Sequence, residues 1–257
     1  MERTFFDWVV LYWRNYWPLF LRGAGYTFLL AVVGTAAGFV IGLLVASVRI
    51  IPIDKNAPWL SRAGLKVIRG VLLAYIEFFR ATPMIVQAMV IYYGAWSIGI
   101  PLYEMVAGFL VISINTGAYM AEIVRGGFIS VDKGQTEGAQ SIGMTHWQTM
   151  TSVVMPQAIR NIMPTIGNEF IINIKDSAVL SVISVSELFF ITKSAAGTYL
   201  NYPPAFVIAC VLYFVMTYGV TRILMALEKK MDGPATYVVK DALNARAREG
   251  MGGWRTT

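Results

Sequence analysis

The arrangement of apolar and polar residues along the chain predicts five membrane-spanning helices. A helix needs about 20 apolar residues to cross the hydrocarbon core of a bilayer. The clearest such stretch, residues 26–48, has no charged side chain. Four further apolar runs are residues 84–99 (extended backward by 71–79), 102–121, 153–174 and 205–226. The pattern therefore predicts an all-α membrane protein with about five spans.

The second and fourth of these runs are interrupted. Pro83 precedes residues 84–99, and residues 153–174 contain Pro156, Arg160, Pro164 and Glu169. Broken helices with polar side chains usually line a cavity in a membrane protein, because their backbone and charges need partners other than lipid. We therefore expect a cavity beside these two spans.

The distribution of basic residues predicts the orientation. An odd number of spans puts the termini on opposite sides of the membrane. If the C-terminus is cytoplasmic, 16 of the 21 lysines and arginines, Arg80 among them, fall in cytoplasmic segments. This bias favours an external N-terminus. We expect three parts: an interfacial N-terminal helix (1–21), a transmembrane domain (22–232) and a cytoplasmic C-terminal tail (233–257).

Two local patterns concern the first span. Aromatic side chains recur every four residues from Trp8 to Trp17, which is typical of a helix lying in the outer headgroup region or of the aromatic belt of the first span. Gly34, Gly38 and Gly42 repeat at the same spacing and predict a face on which another helix packs closely.

Composition excludes several classes of function. The chain is 56% hydrophobic and 14% charged, with one cysteine and one histidine, so an internal disulfide or a His- or Cys-based metal or catalytic centre is not expected. It lacks the Gly-rich Lys-Ser/Thr loop that cradles nucleotide phosphates. We predict no catalytic residue, metal or cofactor in this chain. The net charge of +6 is assigned to the cytoplasmic membrane face rather than to nucleic-acid binding.

The long predicted cytoplasmic loop, residues 122–157, carries the most unusual sequence. Gly134 and Gly143 bracket a short polar helix at about residues 136–142. Glycine suits turns and helix ends because it tolerates positive φ. A short helix of small residues at the membrane surface is suited to docking into a groove of another protein.

This loop resembles the EAA loop of integral membrane subunits of ATP-binding-cassette (ABC) importers. Glu137, Ala139, Gly143 and Pro156 match that motif at its spacing, while Gly138, Val153 and Met155 replace its Ala, Ile and Leu. The segment EFFRATPMIVQ, residues 77–87, is similar to a segment of the polar amino acid permeases. The resemblance extends over residues 20–232.

The resemblance implies a type I importer fold with five spans. It implies two ATPase subunits that bind ATP and Mg, a second copy of this chain or a related permease chain, and an external amino-acid-binding protein. The cargo would be a polar amino acid, basic or amide-bearing, carried across a bacterial cytoplasmic membrane and its lipid. The residues implied in coupling to the ATPase are Glu137, Gly138, Ala139, Ser141, Gly143, Met144 and Pro156.

Polar residues within the spans are candidates for substrate binding, because ionisable groups in a membrane are costly. Glu169 could hold an ammonium group, or could form a structural salt bridge with Arg80 or Arg160. Backbone groups freed at Pro83 could bind a carboxylate. The other candidates are Thr82, Gln87, Asn115, Asn168, Asn173, Lys175 and Asp176. An ion-coupled secondary amino acid transporter remains the alternative; it would need internal repeats and an ion site.

Overall fold

The computed structural model describes the backbone of residues 3–51 and 58–252, with side chains to residue 230. In these ranges the regular structure is entirely helical. The helices are α1 (Phe5–Ile50), α2 (Trp59–Ala81), α3 (Met84–Ser97), α4 (Glu104–Ser130), α5 (Lys133–Ser141), α6 (His146–Thr149), α7 (Met155–Asp176), α8 (Leu188–Tyr199) and α9 (Tyr202–Gly252). A π-helical turn (Met150–Val154) precedes α7, and a 3-10 turn (Ser177–Ile183) follows it.

Close packing of α1 against α4 forms the centre of the bundle. A Cβ atom placed on Gly38 would lie 2.7 Å from Cγ2 of Thr116, and one on Gly42 would lie 2.5 Å from Cβ of Met120. These distances leave no room for a side chain, so the glycine face allows the two helices to approach. The predicted close helix contact is confirmed, and α4 is the partner.

The number of spans depends on how two bent helix pairs are treated. In the described residues, three helices are long and apolar enough to cross a membrane: Phe5–Ile50, Glu104–Ser130 and Tyr202–Lys230. The pair α2 and α3 bends by 113°, and the pair His146–Ile183 and Leu188–Tyr199 bends by 53°. If each pair is one span, the total is five. The first bent pair coincides with the run predicted to be interrupted at Pro83. The second does not bend where the sequence predicted, because α7 continues through Pro164 and the bend lies between Ile183 and Leu188.

The N-terminal segment is not a separate helix. Within the described part of residues 1–21, α1 begins at Phe5 and continues without a break to Ile50. Tyr12 is fully buried, and its hydroxyl donates a hydrogen bond to the carbonyl of Asn201 at 2.8 Å. This part of the aromatic stripe packs against protein, near Tyr199, which the four-residue spacing alone did not reveal. A position in the outer headgroup region stays a prediction.

The boundary predicted at residue 233 is not a break in the structure either. Helix α9 continues from the last span through Gly252, and residues 253–257 of the predicted tail lie outside the described residues. The bent pair of α2 and α3 also begins earlier than its apolar run. Helix α2 starts at Trp59, because its first half is amphipathic and does not register as an apolar stretch.

Candidate functional site: a polar cavity at the break between two helices

Two residues, Thr82 and Pro83, separate α2 from α3. Both have extended backbone conformations, and Pro83 is the N-cap of α3. Proline fixes φ and lacks an N–H, so it starts a helix easily and kinks or breaks a helix that precedes it. The break leaves backbone carbonyls at the end of α2 and backbone N–H groups at the start of α3 without partners inside their helices.

Gln87 and Asn115 satisfy the carbonyl groups at the end of α2. The amide nitrogen of the buried Gln87 side chain lies 3.0 Å from the carbonyl of Phe79, and 2.9 Å from both the carbonyl and the hydroxyl of Thr82. The Asn115 amide donates to the Gln87 side-chain oxygen at 2.9 Å. These bonds fix the break in one geometry and join it to α4.

A cavity of about 480 Å³ opens at this break. Residues of the α2–α3 break form one wall, and α4 and α7 form the rest. The lining residues are Arg80, Ala81, Thr82, Pro83, Met84, Asn115, Tyr119, Glu169, Ile172, Asn173 and Asp176. The volume is within the range of small-molecule binding sites.

Helix α7 supplies the acidic groups of the cavity. Glu169, Asn173 and Asp176 are four and three residues apart, which places them on one face of the helix. Glu169 is half-buried, and within the described part of the chain it forms no ion pair with Arg80 or Arg160. Its carboxylate is therefore available to a ligand rather than held in the salt bridge considered from the sequence.

Arg80 supplies the cation. It lies in the last turn of α2, and its guanidinium carbon is 5.5 Å from the ring centroid of Tyr119. From the sequence, Arg80 is expected in a cytoplasmic segment; in the structure α2 continues to Ala81 and carries Arg80 to the cavity, and the side of the membrane on which it lies stays a prediction. The basic bias of the predicted cytoplasmic side does not depend on this one residue.

The cavity brings together five of the eight predicted substrate-binding residues. They are Thr82, Asn115, Glu169, Asn173 and Asp176. Asn173 is also fixed structurally: its amide nitrogen donates to the Thr35 hydroxyl at 2.9 Å, and its oxygen accepts from the Thr116 hydroxyl at 3.0 Å.

The other three predicted residues do not line the cavity. Gln87 lies behind the wall and positions Thr82. Asn168 and Lys175 are exposed on other faces of α7. Sequence reasoning missed Tyr119, although it follows Asn115 by four residues and so shares its face of α4. It also missed Met84 and Ile172, whose apolar side chains gave no signal.

The short polar helix of the long loop is present as α5. It begins at Lys133, three residues before the predicted start, because the Asp132 side chain caps it by accepting from the N–H of Gly134 at 2.6 Å. It ends before Gly143, whose φ of +83° is a conformation that favours glycine. The N–H of Met144 closes the end by donating to the carbonyl of Ala139 at 3.2 Å.

One side of α5 packs on the protein and the other is open. Ala139 is buried, whereas Glu137, Gly138 and Ser141 are exposed. Ile142, directly after the helix, is 79% exposed. The open side therefore combines a carboxylate with apolar surface, which is suited to contact with another protein. Of the remaining predicted coupling residues, Met144 is half-buried, and Pro156 is exposed at the second position of α7.

Comparison with known proteins identifies the family. Residues 59–233 match the family described as the binding-protein-dependent transport system inner membrane component. A glutamine transport system permease protein of Escherichia coli (strain K12) is 34% identical over 225 residues, which cover 85% of this chain and 97% of that protein. An arginine transport system permease protein of Bacillus subtilis (strain 168) is 30% identical over 215 residues, covering 83% and 93% of the two chains.

A solved structure agrees with this assignment. The crystal structure of an amino acid ABC transporter with histidines superimposes with a TM-score of 0.78 at 36% identity, and the match covers 90% of this chain and all of that one. The chain therefore belongs to the family of binding-protein-dependent transport system inner membrane components, as a permease subunit of an amino acid ABC importer whose ATP is hydrolysed by a partner ATPase.

Proposed function

We propose that this permease binds its amino acid in the cavity at the α2–α3 break and releases it to the cytoplasm when α5 is moved by a partner ATPase. The observation that carries the proposal is the placement of charge. Arg80 and the start of α3 lie on one wall, and Glu169 and Asp176 lie on α7. An amino acid carries both a carboxylate and an ammonium group, so it would find an opposite charge for each.

The α-carboxylate would bind at the start of α3. The first backbone N–H groups of a helix carry partial positive charge and bind anions readily. Broken helices in transporters present such N-termini to anionic substrate groups. Met84, the first residue of α3, lines the cavity, and the guanidinium of Arg80 adds a full positive charge beside it.

The acids favour a substrate with no negative side chain. With Glu169 and Asp176 ionised, two carboxylates face one guanidinium across the lining. A neutral or basic side chain is compatible with this excess of negative charge, whereas an acidic one is repelled. The names of the glutamine and arginine transport relatives agree with a polar amide-bearing or basic amino acid.

The substrate proposal is tested by neutralising Glu169. The measurement is ATP-driven uptake of a panel of acidic, amide-bearing and basic amino acids by vesicles that contain the chain, its ATPase and its binding protein. We expect Glu169→Gln to raise the KM for the preferred substrate by about tenfold or more, since a charge-assisted hydrogen bond contributes about 1.5–3 kcal/mol.

The matched control is Glu104→Gln, which removes an exposed acid at the start of α4, outside the cavity lining. An unchanged uptake of every amino acid by the Glu169→Gln variant would show that this acid does not select the substrate.

The coupling proposal concerns α5. Two permease chains, this one with a second copy or a related chain, would enclose the path, and each α5 would dock into a cleft of one ATPase. The exposed Glu137 would pair with a basic side chain there, and closure of the ATPases on ATP would pull both helices and reopen the cavity to the external binding protein. This arrangement places α5 and the C-terminus on the cytoplasmic side.

Coupling is tested by Glu137→Lys, with Glu104→Lys as a control that makes the same charge change elsewhere. We expect Glu137→Lys to abolish transport and to weaken co-purification of the ATPase, and Glu104→Lys to retain both. Normal substrate-stimulated ATP hydrolysis in the Glu137→Lys complex would contradict this role of the acid. The secondary-transporter alternative is not favoured, because the match to the binding-protein-dependent family covers most of the chain.

A further inference from the structure

A second cavity, of about 460 Å³, lies at the end of the bundle where α1 and α4 finish and α5 begins. Its wall is completed by Met150 and Val154 of the π-helical turn. The charged side chains among its described lining residues are Arg49, Arg125 and Lys133, with no acid among them. No described residue of this lining also lines the cavity at the α2–α3 break.

The two arginines are held together by a carboxylate that does not face this cavity. Glu122 forms an ion pair with Arg49 through one oxygen and with Arg125 through the other, the latter at 2.7 Å. Glu122 itself lines a different pocket, on the side of α4 that faces Asn161 of α7. The shared carboxylate therefore fixes two guanidinium groups side by side and leaves N–H donors of both for a ligand, since each guanidinium carries five.

An apolar cavity of about 550 Å³ adjoins the basic one. The two cavities share three wall residues, Ile50, Phe128 and Met150. The rim of the apolar cavity includes Trp147, which is 74% exposed, and Ile51, which is 49% exposed. A cationic pocket thus continues directly into an apolar one that is open to the surroundings of the bundle.

We propose that this double cavity binds an anionic phospholipid. The phosphate group would accept hydrogen bonds from Arg49, Arg125 and Lys133, and an acyl chain would lie over Phe128 and Met150. Arginine is suited to phosphate because its planar fork donates two parallel bonds. Basic pockets between transmembrane helices at the membrane surface are typical sites for anionic headgroups.

The adjoining apolar cavity favours a lipid over a soluble phosphate. A free anion would leave Phe128, Met150 and Trp147 without a partner, whereas the acyl chain attached to a phosphate headgroup would cover these apolar side chains. The apolar cavity also favours a lipid over an acidic segment of the ATPase, because such a segment would fill only the basic cavity. The proposed function places this site in the cytoplasmic leaflet, but binding itself does not depend on transport.

Lipid binding is tested on the full chain in complex with its ATPase. Native mass spectrometry measures retention of phosphatidylglycerol against phosphatidylcholine of the same acyl composition. We expect the wild-type chain to retain phosphatidylglycerol in preference to phosphatidylcholine. The double variant Arg125→Gln/Lys133→Gln should bind phosphatidylglycerol about thirty-fold more weakly, since each basic residue near an anionic surface contributes about fivefold to binding. The control, Arg160→Gln/Lys229→Gln, removes two exposed cations outside both cavity linings and should bind as wild type does.

A single substitution separates a loss of lipid binding from a loss of folding. Lys133 is exposed and forms no ion pair within the part of the chain that the structure describes. The Lys133→Gln variant should therefore fold normally and bind phosphatidylglycerol about fivefold more weakly than wild type. Equal retention of the two lipids by wild type, or equal losses in the site and control variants, would overturn the proposal.

The source of the phosphate is tested by competition with glycerol phosphate, which has no acyl chains. Displacement of the lipid by glycerol phosphate at matched concentration would show a soluble-anion site instead. Binding seen only after the ATPase is removed would show that this surface belongs to the partner. None of these measurements depends on transport, so a failure here and a failure of the proposed function are separate results.

Discussion

Two glutamates, Glu169 and Glu187, show how differently one membrane bundle uses the same carboxyl group. Each lies near the break of a bent helix pair, Glu169 across the cavity from the α2–α3 break and Glu187 at the start of α8. Glu169 is half-buried, borders open space and has no ion pair among the described residues. Glu187 is fully buried. The difference lies in how many donors the protein itself supplies.

Glu187 has four donors from three helices. Its oxygens accept from the backbone N–H groups of Phe189 at 2.9 Å and Phe190 at 2.7 Å, from the Tyr213 hydroxyl at 2.8 Å and from the Thr27 hydroxyl at 3.3 Å. It therefore caps α8 and ties α1 and α9 to it. A carboxylate that accepts four hydrogen bonds from the protein stabilises a joint, whereas one that faces a cavity is left for a ligand.

The largest expected effect is on stability, from Glu187→Ala. This change leaves two backbone N–H groups and two hydroxyls without an acceptor, and each buried unsatisfied group costs about 1–3 kcal/mol. We expect the free energy of unfolding to fall by about 3–5 kcal/mol, within the range for breaking a buried charged network. Thermal unfolding of the purified protein in detergent measures it.

The matched variant is Glu169→Ala, which should unfold at nearly the wild-type temperature. If the two substitutions destabilise the protein equally, the distinction between a structural and a ligand-binding carboxylate is wrong.

The next largest effect on stability is expected from Gln87→Leu, beside the break at Thr82 and Pro83. This substitution keeps a side chain of similar size but removes the donor to Phe79 and Thr82 and the acceptor for Asn115. We expect a loss of about 2 kcal/mol in stability together with a raised KM, because the cavity wall loses its fixed geometry. Unfolding and uptake measured on the same preparation test this.

Gln87→Glu is the companion variant, since it keeps the acceptor for Asn115 but loses the amide donor. A Gln87→Leu protein with wild-type KM would show that the substrate does not contact this wall.

A smaller effect is expected from Tyr213→Phe. It removes one of the four donors to Glu187 and leaves the ring packing in place. A single hydrogen bond to a charged group contributes about 1.5–3 kcal/mol, and the three remaining donors should limit the loss to the lower end. Thermal unfolding beside Tyr218→Phe, an exposed tyrosine of the same helix, isolates the contribution. Equal melting temperatures of the two variants would show that Glu187 does not need this donor.

The smallest effect on stability, with a clear effect on function, is expected from Arg80→Gln. Arg80 is exposed to the cavity and forms no ion pair within the described residues. We expect an unchanged melting temperature and a KM raised by about tenfold, because the substrate carboxylate loses its full counter-charge. The control is Arg222→Gln, which changes an exposed arginine of α9. If the two variants have the same KM, Arg80 is not part of the substrate site.

Local sequence signals predicted much of the bundle. Long apolar runs located the spans, Pro83 located the break, and the glycine spacing identified the face of α1 that meets α4. Each of these features is set by neighbours along the chain. The start of α5 was missed because the capping by Asp132 outweighs the weak helix propensity of the residues that follow.

Contacts between distant residues were the part that the sequence could not supply. The structural role of Glu187 could not be predicted, because its partners Thr27 and Tyr213 lie 160 and 26 positions away. The sequence did not place Arg80 at the cavity, because the apolar run beside it is short and only the full length of α2 shows that the helix carries Arg80 there. The sequence placed Asn168 and Lys175 in or next to the same span as Glu169 but did not show which face of α7 meets the cavity, so both were included among the candidates.

Uphill uptake by reconstituted vesicles tests the central claim most directly. Vesicles that contain this chain and the binding protein, with and without the ATPase, are given the amino acid and either ATP or an imposed ion gradient. The account predicts accumulation against a gradient only when the ATPase and ATP are both present. Accumulation driven by an ion gradient in vesicles without the ATPase would contradict it.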